Sequence, residues 1–169
     1  DQKAMETALG SADFSAAVAV YENGQNSQKS DGLRTLQGFS TGAQSKMYDG
    51  CPGCPYKHYA MFYEYYGDFA YSDKWVSAAL AGTDMSFTSG RHSPNAFSTL
   101  GTAARVEAAK KGSAYMGVWM YAIREFEDAV DDCQKNCIAC NDGSVHAWDE
   151  GVAFYTGSLE KEDGFESGK

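Results

Sequence analysis

Between residues 95 and 133 apolar side chains recur at intervals of three and four, and that rhythm limits the chain to helices packed on helices. At 100° per residue, Tyr115, Trp119, Ala122, Ile123, Phe126, Ala129, Val130 and Cys133 share one broad side. Arg124, Glu127, Asp128 and Asp131 fall off it, so the pattern predicts a core helix with a solvated back. Gly112 and Gly117 interrupt the stretch; it reads as two helices, or as one bent where glycine allows close packing. No window alternates strictly over several strand-length segments, which argues against a sandwich or barrel, and no short solenoid period is present.

The other segments follow the same rhythm. Asp13 is placed to cap a helix over 14–22, closed by Asn23 and Gly24. Leu33, Leu36 and Phe39 predict a second short helix ending near Gly42, after a polar loop. Tyr59, Phe62, Tyr63 and Tyr66 mark an aromatic-packed helix over 56–66, and Trp75, Ala78 and Ala79 another over 74–81. Residues 82–94 read as a loop, with Pro94 in the first turn of the long helix. A last helix is expected over 144–156, stopped by Gly157. The fold class expected is all-α, a single helical-bundle domain with disulfide-stapled loops.

Composition supports one folded domain. Of 169 residues, 43% are hydrophobic and 14% aromatic, enough to offset the entropy of ordering by burial. The formal net charge of −9 repels phosphate backbones and anionic lipid, so nucleic acid is excluded as the natural partner and cations are favoured. No apolar run approaches the roughly 20 residues that a transmembrane helix needs. The chain starts at Asp1 without Met, as a processed product would, and ends in a polar run. The helical domain is therefore expected over 1–158, with a linker-like tail over 159–169 leading into a further part of a precursor.

Five cysteines form two clusters, Cys51 with Cys54, then Cys133, Cys137 and Cys140. Disulfides are the expectation for an acidic, tyrosine-rich, processed chain, with one thiol free or paired outside the segment. A zinc or iron–sulfur site has ligands enough, but structural zinc serves chains too small to fold alone. A redox pair at Cys51 and Cys54 lacks the preceding strand of the thioredoxin-type motif.

Two groups of residues could carry chemistry. On the last helix His146 and Glu150 stand one turn apart, with Asp149 beside them. Val145, Trp148, Val152 and Tyr155 form one apolar stripe and Ala153 and Phe154 continue another side, so the helix is expected to be buried twice over. An imidazole and a carboxylate held there would ligate a metal ion or satisfy each other. The second group is the acidic edge of the long helix, Glu125, Asp128 and Asp132, with oxygen donors suited to iron, manganese or calcium; a solvated face gives the same pattern. Phosphate-loop, dinucleotide, zinc-protease and nucleophile-elbow motifs are all missing, and no nucleophile–base pair is recognisable, so the chain is not expected to be an enzyme.

Four segments, in order, carry a family resemblance: 19–32 (AVYENGQNSQKSDG), 75–83 (WVSAALAGT), 105–112 (RVEAAKKG) and 145–158 (VHAWDEGVAFYTGS). Together they resemble the algal iron-assimilation (FEA-type, low-iron-inducible) proteins, which are secreted, periplasmic or attached to the cell surface. The resemblance implies an extracellular helical domain that concentrates iron, with a metal cation as partner and iron as the bound metal. His146, Asp149 and Glu150 match its most specific segment; Glu125 and Asp128 join them as candidate ligands. The alternative is a structural or adhesive module of a surface, matrix or filament assembly, with other extracellular proteins or copies of itself as partners.

Overall fold

The computed structural model describes residues 1–87, 92–140 and 143–157. The expected tail over 159–169 lies outside the described residues. The chain folds as helices joined by short connections, with two-residue antiparallel pairings as the only strands among the described residues. Helices α1 (Gln2–Gly10) and α2 (Phe14–Asn23) pack on each other. Asp13 caps α2 as its position demands, accepting from the Ala16 amide at 2.9 Å. Strands β1 (Gln28–Lys29) and β2 (Gly32–Leu33) close a hairpin. The predicted helix through Leu36 and Phe39 is two short turns, α3 (Gly38–Thr41) and α4 (Ala43–Met47), with Leu33 drawn into β2 instead.

Helices α5 (Lys57–Tyr66) and α6 (Tyr71–Ala81) lie where the aromatic spacing put them. Strands β3 (Asp84–Met85) and β4 (Asn95–Ala96) pair across the following loop. Pro94 therefore precedes a strand rather than opening a helix: the Asn95 and Ala96 backbone is used in the ladder. Helix α7 (Thr102–Lys111) then runs through a π-helical segment, Gly112–Val118, into α8 (Trp119–Gln134). Gly112 explains the close approach there, since a Cβ on it would lie 2.6 Å from the Trp75 ring. Helix α9 (Ser144–Thr156) folds back along α8 and ends at Gly157.

The core is built from Met5, Leu9, Tyr21, Tyr59, Tyr71 and Val76, all at most 2% exposed. Arg105 joins two parts of it. Its guanidinium donates to the Ala79 and Leu80 carbonyls, at 2.9 and 2.5 Å, and lies 4.1 Å from the Phe14 ring centre. Those carbonyls belong to the last turn of α6, where no backbone donor follows.

The expected burial of the long stretch is corrected in part: Ala122 and Ala129 are buried as predicted, other members of that face are not. Its buried row is Ala109, Ser113, Gly117, Tyr121, Glu125 and Ala129, four residues apart throughout. In a regular α-helix such a row drifts around the axis; the wider π turn takes up part of that drift. Tyr115, Trp119 and Val130, predicted to face the core, are exposed. Val145, Trp148, Val152 and Tyr155 are exposed as well, so α9 is buried along Ala147 and Gly151 and not on two sides.

Candidate carboxylate site on α8

Helix α8 places acids every three or four residues, and the π turn rotates one of them inward. Glu125 is 2% exposed. One of its oxygens accepts from the Arg124 guanidinium; among the described residues the other has no hydrogen-bond partner, and neither has Arg124 Nε. Burial pushes the Glu125 carboxyl up to about 7, against the pull of Arg124, and the charges of Glu150 and Asp128 add to the rise. Glu150 on α9 and Glu125 on α8 thus feel one another across the helix pair.

Arg124 also reaches Asp128, with Nη2 3.4 Å from Oδ2, and sits 5.0 Å from the Tyr56 ring centre. Tyr56, just ahead of α5, donates to Asp128 Oδ1 at 2.5 Å. Burial first, then that hydrogen bond, hold the Tyr56 phenol above its usual range. The network ties α5 to α8 through groups 72 residues apart in sequence.

From Asp128 the acids run outward. Asp128, Asp131 and Asp132 each offer an oxygen within 4.8 Å of the others, and all three are half-buried. Asp131 is ion-paired with Lys135 as well. Beside them a groove of about 450 Å³ is lined by Ile123, Phe126 and Val130, with His58 and Glu127 paired at 2.8 Å on its rim.

The residues singled out from sequence are thus distributed. His146 and Glu150 stand as the helical geometry requires, with Nε2 and Oε1 3.6 Å apart, on an exposed part of α9. Asp149 faces solvent one position before Glu150. Glu125 lies inside and Asp128 at the junction of α5 and α8. Sequence reasoning missed Asp131 as a member of the carboxylate cluster and Arg124 as its neighbours' counter-charge. The four-residue steps from Arg124 to Asp128 and from Asp131 to Lys135 were the available signals. No local signal marks Tyr56, nor His92, whose ring lies among those of Tyr66, Trp75 and Phe87 at 5.3–5.6 Å.

The cysteines pair within their clusters. Cys51 bonds Cys54 and Cys137 bonds Cys140, while Cys133, at the end of α8, is an exposed free thiol. Each bridge fastens a turn rather than joining distant helices.

No helix among the described residues is long and apolar enough to cross a membrane. Comparison with curated proteins and with solved structures finds no match. A family model does match, over residues 1–169, the whole chain, and its description is Fea1, low iron-inducible periplasmic protein. A helical, disulfide-bearing chain with that match belongs to the low iron-inducible periplasmic protein family.

Proposed function

We propose that this protein binds iron outside the cell membrane, as cargo, at the carboxylate edge of α8. The observation that carries the reading is the convergence of Asp128, Asp131 and Asp132 within 4.8 Å. Carboxylate oxygens in such a group suit hard cations, and the chain's −9 charge raises their local concentration. The role is one of binding rather than catalysis. Arg124 and Tyr56 hold Asp128 in place, and Glu150 supplies further negative charge behind the edge. His146 and Glu150 on α9 form the second candidate pair.

Equilibrium dialysis with ferric citrate tests this. The paired change Asp131→Asn with Asp132→Asn leaves the Tyr56–Asp128 bond intact and is expected to weaken binding at least tenfold, since two of three charged ligands are removed. His146→Ala is expected to change it by less than about twofold. Unchanged binding in the aspartate variant rules out the α8 site, and loss in His146→Ala moves the site to α9.

A further inference from the structure

The outer side of the α8–α9 pair is apolar and meets solvent. Tyr115, Trp119, Val145, Trp148, Val152 and Tyr155 are each 40–58% exposed. Ring contacts make the surface continuous: Tyr115 on Trp119 at 4.7 Å, Trp119 on Tyr155 at 5.5 Å, and Phe126 on Trp148 at 4.9 Å. The groove walled by Ile123, Phe126 and Val130 extends it along α8. We infer that this face is a homodimer interface, on which the same face of a second copy packs about a twofold axis.

Three observations favour a second copy over another occupant. The first is area. About half of each of four large rings is uncovered, on the order of 400 Å² at 150–250 Å² per ring. The valines and the groove wall add to that, approaching the roughly 800 Å² each partner contributes to a standard interface. A lone monomer seldom exposes a patch this large without using it. Secondly, the row Tyr115, Trp119, Phe126, Val130 carries no charge, and the acids that line the groove are already paired, Glu127 with His58 and Asp131 with Lys135, so the same surface can meet itself without burying an unpaired ion. Thirdly, the odd cysteine, Cys133, continues that row and is exposed. A leftover thiol either stays free or pairs with another molecule, and at the end of this row a twofold contact would bring two copies of it to the same face. The −9 charge opposes association between copies, but at physiological ionic strength a Debye length of about 8 Å screens much of it.

The test is sedimentation equilibrium of the 169-residue chain carrying Cys133→Ser, which excludes a merely disulfide-linked dimer. At about 50 µM protein and about 0.15 M NaCl the mass should be twice 18.3 kDa, and the dimer should strengthen as salt rises. Trp148→Asp should raise the dissociation constant at least about 30-fold. The milder pair Val145→Ser with Val152→Ser, at positions 54% and 40% exposed, should weaken it in the same direction and decides the matter if Trp148→Asp does not fold. A monomer at that concentration overturns the inference, whether the face is bare or covered by another segment. So does a dimer that survives both variants, or one that weakens with salt, as a charge-driven contact would.

Discussion

Glu125 is a carboxyl group placed where water does not reach, one of its oxygens without a partner among the described residues. Its pKa rises from 4.5 to about 7 on folding. The folded state therefore keeps a proton that the unfolded chain has released. Stability from this group is fully present below about pH 4.5, falls as pH climbs to 7, and is flat above it. The difference amounts to roughly 3 kcal/mol. Thermal melts from pH 4.5 to 7.5 should show that decline in the wild type and lose much of it in Glu125→Gln; parallel profiles would remove the buried carboxyl from the account. The sequence shows Glu125 as one acid in a ladder with Asp128 and Asp132. Its burial is not legible there, because the phase of the helix is reset ten residues upstream. Asp131 was not hidden in this way: it stands three residues after Asp128 and next to Asp132 on one helix, so its place in the cluster was legible from spacing alone.

At the scale of elements, caps and stops were the most legible features, because their chemistry is local. Asp13 before α2, and glycines after α6 and α9, each act within one turn. Helix α1 went unnoticed although Ala4, Met5, Ala8 and Leu9 recur at helical spacing; a helix of nine residues is held by packing, here against α2 and α7. The π turn cannot be read from periodicity, since one wide turn shifts all following residues against those before it. Two substitutions probe the packing. A Cβ on Gly151 would lie 2.7 Å from the Phe126 ring, which Trp148 already confines. Gly151→Ala should cost about 1–3 kcal/mol in chemical denaturation, by forcing α8 and α9 apart. Arg105→Ala removes two donors from the end of α6 and should cost about 1–3 kcal/mol. Arg105→Lys should recover little, because an ammonium cannot span both carbonyls while lying on the Phe14 ring. Full recovery by lysine would reduce the role of Arg105 to its charge.

For the molecule as a whole, the sequence revealed the all-α class, the two cysteine clusters and the family, since each depends on patterns rather than on register. It did not reveal which cysteines pair or that the α8–α9 pair turns an aromatic side outward; both depend on tertiary geometry. Bridges closing loops with a separation of three remove little chain entropy. The double change Cys51→Ala with Cys54→Ala should keep the helical far-UV signal and lower unfolding free energy by about 2 kcal/mol. A collapsed spectrum would show that the bridge organises more than its own turn. Pairing between such near neighbours also uncouples folding from oxidation. A newly exported chain can build its helices first and acquire its sulfur bonds afterwards. If the double variant keeps its helices, no search among distant thiols is needed and reduction of the bridges should leave the architecture standing.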